Sequence, residues 1–298
     1  MSAAKRDLLR TALEVLLYIF LYVSVAAVAG WLLYPAVEYL LAIILTGLLA
    51  ACAANWLAMR IFERRSLPDI GMYWNDSSIR NLATGVFGGA AAAALVLAPP
   101  LMAGAASLRP MPGAEPHFGA AAFLTVMLFL GAAGEEILFR GFGFQVLIRT
   151  LGAAATILPV GVIFALMHAD NPNATALGIA NTAGFGVLFG FAYLRSRDLW
   201  LPIGLHFGWN VTLPLFGVPV SGLKIGMTGY AMEWTAGTLW SGGDYGPEGS
   251  LLTSVVLVAL CLFLWKAPVR RQPSPLLDPP LETPPCAPGP PPHPPLSS

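Results

Sequence analysis

The stretch LFLGAAGEEILFRGF, residues 128–142, sets Glu135, Glu136 and Arg140 in a run otherwise made of leucine, isoleucine, phenylalanine, alanine and glycine. Two later apolar runs are interrupted in the same way, by His168 in FALMHAD and by His206 with Asn210 in GLHFGWN. Ionisable groups at membrane depth cost several kcal/mol unless paired or hydrated, so each is a candidate for function. Carboxylate, imidazole and carboxamide together are the groups that move protons to and from water and donate hydrogen bonds to developing negative charge.

Helix geometry separates the two glutamates. Glu136 and Arg140 are spaced i, i+4 and share a face, in the favourable order of acid before base. Glu135 lies about 100° further round, cannot readily share that arginine, and is free to face a cavity. The same spacing puts His206 and Asn210 on one face and Phe164 directly beneath His168. A hairpin turning near Leu151 and Gly152 would set Glu135 opposite His168, because residues equidistant from the turn face each other. His206 is harder to place, since it lies only about 10 Å of helix rise beyond the basic residues Arg195 and Arg197.

A blander account is available for each group alone. An acidic pair with an arginine can serve only to fix helix packing, and a single His or Asn often hydrogen-bonds between membrane helices. The combination of a free carboxylate, two histidines and an asparagine is what points to chemistry. Asn55, Asn181, His117 and His293 are assigned to packing, loops or the tail, and Glu38 to a solvated loop.

The elements that must position these groups are membrane spans. The chain has 298 residues, 56% hydrophobic and 11% charged, against roughly a quarter charged in soluble domains. Apolar stretches near the ~20 residues needed to cross a bilayer fall at about 8–33, 36–62, 82–106, 119–149, 153–169, 174–194, 199–220 and 250–266. The first is too long for a signal-peptide core of roughly 7–15 residues. The expected fold is therefore all-α, a polytopic bundle of about eight transmembrane helices. With that count, nearly all lysines and arginines fall on one side, the exceptions being Arg109, Lys224 and the intrahelical Arg140, so both termini are expected in the cytoplasm.

Lysine plus arginine equals aspartate plus glutamate at 16 each, which gives no nucleic-acid footprint. Cys52, Cys261 and Cys286 form neither a disulfide framework nor a metal motif. No phosphate-binding glycine motif is present, which argues against nucleotide-driven transport. Residues 66–80 mix Met72, Tyr73 and Trp74 with polar groups, the makeup of an interfacial segment. Three regions are expected: helices 1–3 over 1–117, a core over 118–266 carrying the polar groups, and a proline-rich, disordered cytoplasmic tail over 267–298 whose polyproline stretches could dock a partner.

Together EEILFRG, FALMH and HFGWN resemble the EExxxR, FxxxH and HxxxN motifs of the CPBP family of intramembrane proteases, which takes in CAAX prenyl endopeptidases and bacterial bacteriocin-processing or immunity proteins. The match runs through Glu135, Glu136 and Arg140, then Phe164 and His168, then His206 and Asn210, with no departure. VSGLKIG and SGGDYGPEGSLLT further on are similar to a bacterial branch of the family. The resemblance implies an endopeptidase acting on membrane-associated peptides or proteins, in a bacterial cytoplasmic membrane. In that reading Glu135 with His168 polarises a water, His206 and Asn210 donate to the oxyanion, and Glu136 with Arg140 and Phe164 support the site. No cofactor is required. The rival chemistry is a zinc site with Glu135, His168 and His206 as ligands. Two other functions stay open, a non-catalytic immunity or binding protein and a transporter using the acid and histidines as a proton relay.

Overall fold

The computed structural model describes residues 3–111 and 117–278. It is 72% helical. The long helices are α1 (Ala3–Leu33), α2 (Tyr39–Ala58), α3 (Asp76–Met102), α4 (Phe118–Arg140), α5 (Phe142–Leu151), α6 (Ala153–Leu166), α7 (Ala176–Ser196), α8 (Trp200–Leu215) and, after the single turn α9 (Thr238–Ser241), α10 (Leu251–Lys266). Among the described residues five helical stretches are long and apolar enough to cross a membrane, Lys5–Leu33, Tyr39–Glu63, Asp76–Met102, Phe118–Leu151 and Ala176–Ser196, while Ala153–Leu166 and Leu251–Lys266 are shorter apolar helices. Their outward faces carry large apolar groups such as Phe20, Trp31, Phe87, Val258 and Trp265, which suits lipid and would be costly in water. The protein is an all-α polytopic membrane protein.

One small exception to the all-helical pattern is a two-stranded antiparallel ribbon of β1 (Ala106–Pro110) and β2 (Tyr230–Trp234), in which Leu108 faces Met232. It joins the segment after α3 to the long connection between α8 and α10.

The fourth apolar run, expected as one span over 119–149, is broken at Gly141 into α4 and α5. Asn55 of α2 holds the break. Its Oδ1 accepts the Phe142 N–H at 2.7 Å, and its Nδ2 reaches the Ile137 carbonyl (3.0 Å), the Ala51 carbonyl (2.8 Å) and the Tyr18 hydroxyl (2.9 Å). Tyr18 in turn donates to the Leu138 carbonyl at 2.8 Å. A Cβ at position 141 would collide with Asn55 Oδ1 and the Ile137 carbonyl, so glycine is what lets an amide from another helix satisfy the freed backbone.

The helix carrying His206 is placed by close packing. Gly85 and Gly89 of α3 and Gly204 and Gly208 of α8 let the two backbones touch, and a Cβ at any of the four would meet main-chain atoms of the opposite helix. This is the small-xxx-small spacing that brings membrane helices together without a hydrophobic driving force.

A covering layer lies over the α7–α8 turn. Leu199 N–H donates to the Gly71 carbonyl at 2.9 Å, and Gln272 N–H donates to the Ser196 carbonyl at 2.8 Å. Beneath it Asp198 is 1% exposed and accepts from Asn81 Nδ2 (2.7 Å) and Gln272 Nε2 (2.6 Å). Burial pushes the Asp198 carboxyl above the ordinary range, with the Asn81 and Gln272 donors opposing.

One expectation is corrected here. The tail does not leave the fold at residue 267: Gln272, Ser274 and Leu276 are buried, and Asn81 holds both the N–H and the carbonyl of Arg270. The physical reason is that the buried polar turn 196–199 needs donors, and the tail supplies them. Residues 279–298, with Cys286, His293 and most of the proline-rich stretch, lie outside the described residues. Glu38 is exposed in the loop before α2, as expected, and also caps that helix by accepting from Leu40 N–H at 3.0 Å.

Candidate active site

α4, α6 and α8 bring the three polar clusters together. Glu135 Oε2 lies 3.9 Å from His168 Nε2 and 3.9 Å from His206 Nε2. That same oxygen is buried and has no hydrogen-bond partner among the described residues, although the glutamate side chain as a whole is 41% exposed. The hairpin expectation therefore holds in geometry, although α5 intervenes as a separate helix.

The difficulty over the depth of His206 has a physical resolution. Glu135 stands five residues before the end of α4 and His206 six residues after the start of α8, roughly 8 and 9 Å of rise. They meet because the α7–α8 turn is itself buried under residues 66–75 and 267–278. α5 carries the chain past Arg140 before α6 turns back, so the 14 residues of α6 end at the level of Glu135. His168 sits in the turn just beyond.

The second nitrogen of each imidazole is committed. His168 Nδ1 lies 2.8 Å from the Phe164 carbonyl; a carbonyl only accepts, so Nδ1 carries the hydrogen. His206 Nδ1 lies 3.0 Å from Glu136 Oε1, again an acceptor. Both Nε2 atoms thus turn toward Glu135.

Glu136 is fully buried and also takes Arg140 Nη1 at 3.2 Å. Arg140 Nη2 donates to the Gly186 carbonyl at 2.7 Å. Its guanidinium carbon lies 5.1, 5.4 and 5.6 Å from the ring centres of Phe164, Phe189 and Phe139, an arrangement that offsets part of its desolvation. Phe164 also contacts His168, with ring centres 4.7 Å apart, and Phe189 stacks on His206 at 4.9 Å. Asn210, one turn past His206 in α8 and partly buried, makes no side-chain hydrogen bond among the described residues.

Sequence reasoning missed the Glu136–His206 contact, Phe189, the Gly85/Gly89 against Gly204/Gly208 packing and the role of Asn55. The paired GxxxG spacings were visible as a signal. Phe189 carried none, being one aromatic among several in α7.

Glu135, His168 and His206 are the right kinds of ligand for zinc, but 3.9 Å from carboxylate oxygen to each nitrogen exceeds the ~3.4 Å between two tetrahedral ligands at usual zinc bond lengths. Among the described residues no three His, Cys, Asp or Glu side chains are arranged to hold a metal.

Residues 117–212 match the family model for type II CAAX prenyl endopeptidase, Rce1-like. This chain carries an Rce1-like domain. No curated protein sequence matches the chain. The Rce1-like domain spans α4 to most of α8 and holds every one of Glu135, Glu136, Arg140, Phe164, His168, His206 and Asn210. Its broken helix nonetheless depends on Tyr18 and Asn55, and its α8 on the glycines of α3, all outside the matched residues.

Proposed function

We propose that the Rce1-like domain makes this chain an intramembrane endopeptidase that hydrolyses peptide bonds of membrane-associated peptides or proteins. The observation that supports this most is the partnerless Glu135 oxygen facing two imidazole nitrogens at 3.9 Å. A carboxylate and the Nε2 lone pair of a neutral His168 repel unless a hydrogen donor stands between them, and a water fits that need.

In this reading the water gives one hydrogen bond to Glu135 and one to His168, leaving its own lone pair for the scissile carbonyl carbon. As the C–O bond forms, the proton passes to Glu135. His206 enters the cycle in this reading already protonated on both ring nitrogens, its charge held by the Glu136 anion at Nδ1, so that its Nε2–H donates to the oxyanion and keeps its proton throughout, with the Asn210 carboxamide as second donor. On collapse the C–N bond breaks and the leaving amine takes the proton from Glu135, giving a free carboxyl and a free amine. The membrane-embedded site, both termini in the cytoplasm and residues 66–80 along the inner leaflet complete the proposal.

The test is to compare membrane-associated peptides from cells carrying the wild-type chain and Glu135→Gln. Uncleaved precursors should accumulate with the variant while the protein still inserts and purifies. Identical peptide populations would reject the protease reading in favour of a binding or immunity protein.

The convergence of one carboxylate and two Nε2 atoms also favours a second reading, with Glu135, His168 and His206 closing by about half an ångström round a zinc ion, which would supply Lewis-acid activation of water. Chelation, treated in the Discussion, separates the two.

A further inference from the structure

Glu248 lies outside the matched family residues, in the turn Pro247–Gly249 just before α10, and is 5% exposed. Its Oε1 accepts from Trp209 Nε1 at 3.0 Å. Its Oε2 accepts from the Ser221 backbone N–H and, at 2.9 Å, from the Ser221 hydroxyl. Asn181 of α7 fixes the turn itself, donating to the Glu248 carbonyl at 2.8 Å and the Ser250 carbonyl at 3.0 Å. Burial pushes the Glu248 carboxyl up, with the Ser221 and Trp209 donors opposing.

The contacts continue to both halves of the proposed site. Trp209 is the chain neighbour of Asn210. Ser221, held in the left-handed region at φ 47°, turns its carbonyl to accept from Asn171 Nδ2 at 3.1 Å, and Asn171 N–H donates to the His168 carbonyl at 3.2 Å. A non-glycine residue in that region costs about 1 kcal/mol or more and persists only where its surroundings over-determine it. Here the Glu248 carboxylate takes both Ser221 donors.

We infer that Glu248 is a positioning residue for the proposed hydrolysis, the buried carboxylate that fixes the turn bearing His168 relative to the oxyanion donor Asn210. The inference rests on the protease reading for its kinetic consequence, while the tie itself is independent of it. A ~1 Å misplacement of a donor can cost about a hundredfold in rate, so losing the tie acts on turnover and leaves substrate binding by the rest of the bundle largely intact.

The test is a double-mutant cycle with purified full-length protein and two quenched fluorescent probes: a farnesylated peptide ending in a CAAX sequence, and an unprenylated membrane peptide carrying a cleavage site found by the peptide comparison above. Glu248→Gln puts an amide N–H where Ser221 donates, so kcat should fall about 10–100-fold with KM within about twofold. In an Asn210→Ala background the same change should cost less than about threefold, because its effect passes through Asn210. An equal loss in both backgrounds, or unchanged kcat, overturns the inference. Trp209→Phe and Ser221→Ala carry the same measurement if Glu248→Gln does not fold.

Amide hydrogen exchange reads the tie without any substrate. In Glu248→Gln, exchange should rise about tenfold together in 168–172 and 209–212, with 85–97 of α3 unchanged; unchanged exchange in the first two segments also overturns the inference. Rising exchange with cleavage that survives Glu135→Gln would keep the tie and reject the protease reading.

Discussion

Glu136 Oε1 lies 3.0 Å from His206 Nδ1 and 3.2 Å from Arg140 Nη1, so one buried carboxylate serves two cations or potential cations on different helices. The adjacent glutamate, Glu135, faces the other nitrogen of the same imidazole. The pair of glutamates therefore grips His206 from both sides, and only one of them is free to take a proton from water.

Arg140→Ala is expected to destabilise the protein by about 3–5 kcal/mol, because it removes the arginine from a fully buried pair and leaves the Gly186 carbonyl without its donor. Glu136→Gln combined with Arg140→Gln should recover much of that loss, since two neutral amides can hydrogen-bond in the same space. Thermal melts in detergent check this, and a double variant no more stable than Arg140→Ala would count against the pair.

The same double variant should recover stability without recovering turnover. Without the Glu136 anion, positive charge on His206 is no longer stabilised, so the oxyanion site loses a charged donor and kcat should stay at least about a hundredfold down. Restoration of both stability and kcat would make Glu136 a packing residue only.

Chelation decides the chemistry. With Glu135 as general base, cleavage should survive prolonged treatment with a strong chelator, and Asn210→Ala should slow it by about 10²–10³, as the loss of one oxyanion donor does. Stoichiometric zinc in the purified protein together with chelator-sensitive cleavage would establish the metal reading and move Asn210 out of the oxyanion role.

Gly89→Val should be among the most damaging apolar substitutions in the chain, because its side chain would enter the backbone of α8 at Leu205 and Trp209. Forcing α3 and α8 apart shifts His206 as well as costing several kcal/mol. Gly47→Val, where nothing lies within 4 Å of an added Cβ, is the control and should leave both melting temperature and cleavage near wild type.

Removing the side chain of Gln272 should lower stability by about 1–3 kcal/mol, since the buried Asp198 carboxylate and Ser78 each lose a partner. A melting temperature unchanged in Gln272→Ala would mean that the described part of the tail is not needed to cover the α7–α8 turn.

Period and spacing along the chain already determined which groups share a helix face. The i, i+4 pairing of Glu136 with Arg140, the isolation of Glu135 and the stacking of Phe164 beneath His168 follow from 3.6 residues per turn and needed no tertiary information. The bundle class follows as directly, because long uncharged apolar runs have few alternatives to membrane helices. What the sequence left undecided was everything set by contacts between helices. Whether His206 reached the depth of His168 depended on how far the α7–α8 turn is buried, which Gly71 and Gln272 decide from distant parts of the chain. The break after Arg140 depended on an amide from α2, the sharing of Glu136 on the rotation of α8 against α4, and the fate of residues 267–278 on unmet hydrogen bonds at Asp198. Local periodicity reports the face on which a residue lies; the neighbour that face meets is fixed only when backbones pack as closely as Gly85 and Gly89 allow against Gly204 and Gly208.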